Sequence, residues 1–194
     1  MFTGIVEALG KIINIHDKES DRDFIIFSKE IKSLNIGDSV AVNGVCLTVR
    51  EIEENKFMVS AALETLKLTN LGTINLNDMV NLETSLTLNK PLGGHLVQGH
   101  VACTSEIISK NSAGESIYFK FTKPQALENY IVKKGYIAID GMSLTICNEE
   151  KDWFEIMIIS HTLSVTIAQD YKIGSLVNLE VDIFARYIEK LNGK

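Results

Sequence analysis

"AVNGVCLTV", running from Ala41 to Val49, and "AIDGMSLTI", from Ala138 to Ile146, are two spellings of one pattern. Each reads small, apolar, Asn or Asp, Gly, apolar, Cys or Ser, Leu, Thr, apolar, and the two start 97 residues apart. At the same offset Thr65-Leu66 and Thr69 return as Thr162-Leu163 and Thr166, and Val80-Asn81-Leu82-Glu83 returns unchanged as Val177-Asn178-Leu179-Glu180. Near the N-terminus the offset becomes 95, pairing Gly4-Ile5-Val6 with Gly99-His100-Val101. So many matches in one order mark an internal repeat, and a period near 100 residues means two domains rather than a solenoid.

The join falls at Asn89-Lys90-Pro91-Leu92-Gly93-Gly94, where Pro and paired Gly interrupt the pattern. We therefore expect one domain over residues 1–90, a second over 91–183 and a separate tail over 184–194. Each half is rich in short apolar runs, such as Phe24 to Phe27, Val40 to Val49 and Phe57 to Ala61, bounded by Gly, Asn, Asp or charged clusters. A half of about 90 residues built from strands is expected to close into a small antiparallel barrel, because closure removes exposed edges. A helix is predicted from Pro124 to Gly135, with Leu127, Tyr130 and Ile131 on one face, and short helical turns around Leu63 to Leu68 and Leu163 to Ala168. In the tail, Phe184, Tyr187, Ile188 and Leu191 fall at i, i+3, i+4 and i+7, an amphipathic helix too short to stand alone.

Composition narrows the function. Of the 194 residues, 45% are apolar, enough for a packed core, and a charged fraction of 23% argues against wholesale disorder. A net charge of -6, with 19 scattered basic residues and 7% aromatics, speaks against a nucleic-acid groove or an anionic-lipid surface. Three cysteines without regular spacing (Cys46, Cys103, Cys147) suggest free thiols and a cytoplasmic setting. No run of about 18 apolar residues suggests a membrane span, and the N-terminus does not read as a signal peptide.

The repeated stretch reads as a strand carrying Gly in its middle. A glycine there marks close approach of a ligand or of another backbone. Cys46 and Thr48, and their counterparts Ser143 and Thr145, then share one face, since side chains alternate. The halves differ where chemistry could occur: His100 stands against Ile5, Ser143 against Cys46, Lys134 against Gly37 and Asp182 against Ser85. Titratable groups thus gather in the second half, as two pockets for one molecule with different jobs would require. His95, His100 and Cys103 lack a fourth zinc ligand of recognised spacing. A Ser143–His100–Asp182 triad has no nucleophile elbow to support it. His16 and His161 read as surface or structural residues.

Together, Met1-Phe2-Thr3-Gly4-Ile5-Val6-Glu7, "NGVCLTV", "GGHLVQGHV", "KKGYIAIDGMSLTI" and "VNLEVDIFARYIEKL" give the chain a pattern that resembles the riboflavin synthases of the trimeric, duplicated type. The resemblance implies an all-β fold of two homologous six-stranded antiparallel closed barrels of Greek-key type, with a C-terminal α-helix that holds a homotrimer. It implies a dismutation of two 6,7-dimethyl-8-ribityllumazine molecules that needs no metal or redox cofactor, at a site between barrels of neighbouring subunits. An association with lumazine synthase would also fit the family. Carried over to this chain, Phe2, Thr3, Gly4, Ser39, Cys46, Thr48 and Gly99 would bind substrate, the N-terminal barrel pocket being lined by Ser39, Cys46 and Thr48. The C-terminal barrel pocket would hold His100, Ser143, Thr145 and Asp182, with Lys134 nearby. Proton transfer would fall to His100 or the Ser143/Thr145 pair, attack or polarisation to Cys46, and orientation to Asp182. Val45 stands where the family often has a second Cys. The lumazine- or flavin-carrying antenna proteins resemble the same fold without being enzymes, and tend to lose Thr3 and part of this polar set. A flavin reductase barrel would need a following nucleotide-binding domain.

Overall fold

The computed structural model describes residues 1–193. Strands β1 (Ala8–Asp17), β2 (Asp21–Phe27), β3 (Ser39–Val42), β4 (Val45–Glu53), β5 (Lys56–Ala62) and β6 (Met79–Thr84) close a barrel in the order β1-β2-β5-β4-β3-β6. Strands β7 (Cys103–Ala113), β8 (Ser116–Thr122), β9 (Tyr136–Ile139), β10 (Met142–Glu149), β11 (Trp153–Ile158) and β12 (Leu176–Val181) close a second barrel with the same circuit shifted by six strands. Every pairing is antiparallel. The duplication and the all-β, twin-barrel architecture are as expected.

Alternation sorts the side chains. Phe24, Ile26, Val40, Val42 and Val59 fill the first barrel, and Phe119, Phe121, Phe154, Ile137 and Ile139 the second. A six-stranded barrel has an interior only wide enough for such packing. Ligand pockets must therefore lie on the outer walls.

The opening stretch is not one strand. Asn43-Gly44 and Asp140-Gly141 are two-residue hairpin turns joining β3 to β4 and β9 to β10, with Val42 opposite Val45 and Ile139 opposite Met142. All four turn residues have positive φ (46°, 75°, 44° and 81°), as a type I′ turn demands, so the mid-strand reading of Gly44 and Gly141 is corrected. The close approach it implied is nevertheless there. A Cβ on Gly44 would lie 2.6 Å from the Gly141 nitrogen, and one on Gly141 would lie 2.9 Å from the Gly44 nitrogen. The two hairpin tips meet where the barrels touch.

Buried amides and one acid seal that seam. Asn81 Nδ2 donates to the Asp140 carbonyl at 2.9 Å, and Asn178 Nδ2 donates to the Asn43 carbonyl at 2.8 Å. The Asp140 carboxylate accepts from the Asn178 and Asn70 nitrogens, both at 2.8 Å, and from the Tyr171 hydroxyl at 2.5 Å. The repeated Val-Asn-Leu-Glu motif thus places one asparagine of each barrel across the seam.

Beyond the barrels, α1 (Leu63–Leu68) and α2 (Ser160–Val165) occupy the expected turns, each followed by a 3₁₀ turn. The helix predicted from Pro124 to Gly135 is corrected to a 3₁₀ turn at Gln125–Leu127 and irregular turns. Leu127 and Ile131 still bury in the second core, but Lys134 takes φ +70° and ends any helical run before β9. Packing decided this segment; the apolar spacing only supplied the anchors. The tail helix α3 spans Ile183–Leu191, capped by Asp182, whose carboxylate accepts from the Phe184 nitrogen at 3.0 Å. Its Phe184, Tyr187, Ile188 and Leu191 are 59%, 62%, 58% and 84% exposed. Among the described residues no helix is long and apolar enough to cross a membrane.

Candidate active site

The segments that precede each barrel are exchanged. Val6, just ahead of the first barrel, packs on the core of the second, and Val101, just ahead of the second, packs on the core of the first. The two segments pair where they cross, through Phe2 and Val97, whose nitrogens donate to each other's carbonyls at 2.7 and 3.1 Å. Gly4 then accepts from the Ser143 nitrogen at 2.7 Å, and Gly99 accepts from the Cys46 nitrogen at 2.9 Å. Contact is so close that a Cβ on Gly4 would come within 2.6 Å of Ser143 Cβ, and one on Gly99 within 2.5 Å of Cys46 Cβ.

Two repeat-related pockets result. The first, about 250 Å³, is lined by Cys46 on β4, by Ala62, Thr65 and Thr69 from the α1 region, and by Gly99 and His100 of the crossing segment. The second, about 160 Å³, is lined by Ser143 on β10, by His161, Thr162 and Thr166 from the α2 region, and by Gly4 and Ile5.

The exchange regroups the expected residues. His100 does not join Ser143, as expected from the sequence; it lies with Cys46 in the first pocket, and Ile5 takes its place beside Ser143. Gly4 likewise belongs to the second pocket and Gly99 to the first. Phe2 is fully buried between the pockets, packed with Ala41, Val97, Ala138 and Cys46. Thr3 is buried too, and its hydroxyl donates to Glu83 at 2.7 Å. Thr48 and Thr145 are exposed, two residues along the outer face from Cys46 and Ser143, and Ser39 pairs with Thr48. Lys134 is exposed on its turn, its nitrogen donating to the Ile146 carbonyl.

The sequence reading overlooked His95 as a site residue. Its Nδ1 lies 2.7 Å from Ser143 Oγ, and its ring stacks on Tyr136 with centroids 5.2 Å apart and planes 12° from parallel. Burial pushes its pKa below 6.5, while the Asp182 charge pulls the other way. His95 is thus a neutral imidazole whose only polar contact toward a pocket, among the described residues, is the Ser143 hydroxyl, so a proton would reach it through that hydroxyl. Nε2 is buried with no partner among the described residues. At the 95-residue offset His95 would align ahead of Met1, so it has no counterpart in the first half. That lack of a partner was the available signal. His161, read as surface or structural, lines the second pocket.

The lumazine binding domain family matches residues 3–85 and 98–182. Riboflavin synthase of Schizosaccharomyces pombe is 44% identical over 195 residues, covering 98% of this chain and 93% of that protein. The chain belongs to the riboflavin synthase family. Riboflavin synthase of Actinobacillus pleuropneumoniae is 42% identical, with 98% of this chain and 89% of that protein covered, and the Mycobacterium tuberculosis enzyme is 38% identical with 98% of each covered. The fold also matches crystal structures of LumP. Its complex with riboflavin has a TM-score of 0.86 at 25% identity, and its complex with 6,7-dimethyl-8-(1'-D-ribityl) lumazine one of 0.84 at 22%, each covering 93% of this chain and 99% of LumP. Members of the riboflavin synthase family are transferases.

Proposed function

We propose that this chain converts two molecules of 6,7-dimethyl-8-ribityllumazine into riboflavin and 5-amino-6-(D-ribitylamino)uracil. One molecule gives up a four-carbon unit and the other receives it, so the reaction balances without an outside oxidant or reductant. The carrying observation is the pair of repeat-related pockets with unlike chemistry, Cys46 with His100 in one and, in the other, Ser143 backed by the buried His95. A reaction between two copies of one heterocycle calls for two similar cradles and two different sets of polar groups.

The C7 methyl group of the lumazine is acidic, because the carbanion it leaves delocalises into the ring. The Ser143 hydroxyl relays that proton to neutral His95, a contribution of typically 10²–10⁴-fold. Cys46 and His100 face the other lumazine, for attack or polarisation at its C7. Juxtaposing the two reactants can replace up to roughly 7–11 kcal/mol of the bimolecular cost.

Both pockets lie on outer walls, so juxtaposition requires a second subunit. The exposed apolar face of α3 is suited to hold it, in a homotrimer that sets the first pocket of one subunit against the second pocket of the next. Mixing the purified protein with the lumazine should produce riboflavin absorbance. Binding without riboflavin formation would reject this reading in favour of the carrier role that the likeness to LumP suggests.

A further inference from the structure

Glu83 and Glu180 close the repeated Val-Asn-Leu-Glu motif, and each is buried, 3% and 4% exposed. Neither faces solvent, and neither belongs to the lining of the two pockets. Each grips the crossing segment. Glu83 accepts from the Thr3 nitrogen and hydroxyl, both at 2.7 Å, and from the Gly4 nitrogen at 3.0 Å. Glu180 accepts from the Gln98 nitrogen at 2.6 Å and the Gly99 nitrogen at 2.9 Å. Burial raises both carboxyls, and the backbone donors oppose that rise.

The direction of these bonds matters. Glu83 stands on β6 of the first barrel, yet the glycine it holds abuts Ser143 of the second. Glu180 stands on β12 of the second barrel, yet the glycine it holds abuts Cys46 of the first. Across the sheets Glu83 pairs with Ala41, which pairs with Cys46, and Glu180 pairs with Ala138, which pairs with Ser143. Each carboxylate is thus anchored on the row of one pocket while it fixes the wall of the other.

We infer that Glu83 and Glu180 are crossed positioning residues: Glu83 sets the wall of the Ser143 pocket, and Glu180 sets the wall of the Cys46 pocket. A carboxylate can accept from two adjacent N–H groups at once. A glutamine of the same shape presents one acceptor and one donor, so one backbone N–H then faces a donor and the segment loosens. The kinetic consequence rests on the reaction proposed above; the structural consequence does not.

The test uses the full chain and two single variants, Glu83→Gln and Glu180→Gln, with amide hydrogen exchange and steady-state kinetics. In Glu180→Gln the Cys46 amide should exchange at least tenfold faster while the Ser143 amide keeps its wild-type rate; Glu83→Gln should give the reverse. In both, kcat should fall tenfold or more, with a smaller change in KM. A general loss of stability would speed both amides alike, and that result, or no change in either, overturns the inference. A crossed exchange pattern with wild-type kcat overturns the positioning role. Should a glutamine variant fail to fold, Glu83→Asp and Glu180→Asp, which keep both acceptors on a shorter arm, must show the same crossed pattern. If the wild-type protein forms no riboflavin but the exchange pattern is crossed, the reaction is wrong and the crossed hold stands.

Discussion

His95 Nδ1 lies 2.7 Å from Ser143 Oγ, joining a loop between the barrels to a strand of the second. Because burial holds the imidazole pKa below 6.5, a pair acting as the proposed base would do so only above that lowered value. The pH profile of kcat/KM should rise along an acidic limb with its inflection below 6.5, and His95→Gln should flatten the limb and cut the rate by roughly 10²–10⁴-fold. A profile of unchanged shape in the variant would remove His95 from the proton path.

The seam carries its own titration. Burial pushes Asp140 from 3.8 up to about 7, against the Tyr171, Asn178 and Asn70 hydrogen bonds that favour the charged form. Between those two values the folded chain binds a proton that the unfolded chain has released. Stability should therefore fall as pH rises from about 4 through 7, by at most about 4 kcal/mol. Asn stands at the equivalent position 43, so Asp140→Asn should fold and lose this pH dependence. Urea midpoints measured from pH 4 to 8 check it.

Gly44 and Gly141 tolerate no side chain. Alanine at either would carry a Cβ within 3 Å of the facing backbone nitrogen, in a positive-φ conformation. Each substitution should destabilise by about 2–4 kcal/mol. Equilibrium unfolding of Gly44→Ala, compared with the unconfined Gly114→Ala, measures the contact, since nothing among the described residues lies within 4 Å of a Cβ at Gly114.

The face of α3 should hold subunits together. Ending the chain before Phe184, or replacing Phe184 and Ile188 with Glu, should lower the mass seen by light scattering and abolish riboflavin formation while both barrels stay folded. A trimer that survives either change would place the interface elsewhere.

Much of the fold was legible because a duplication prints its own evidence: Val80 to Glu83 repeated at Val177 to Glu180 announced two equivalent barrels. The polar turn was misread. Asn43-Gly44 is a hairpin signal of two residues, hidden inside a run apolar enough to pass for one strand. The segment after Pro124 was misread for a different reason: its apolar spacing suits a helix, but Leu127, Tyr130 and Ile131 reach the second core from a 3₁₀ turn and irregular backbone.

The repeat, the strand-rich halves, the amphipathic tail and the residue types on offer at the site are all written in the linear chain. Which of those residues meet depends on how the folded barrels come together. Exchange of the segments before β1 and β7 sets His100 beside Cys46 and Gly4 beside Ser143, and brings His95 onto a serine 48 residues further along. Periodicity reports contacts a few residues apart, whereas these pairings arise from two barrels docking at Gly44 and Gly141. No local pattern encodes that docking.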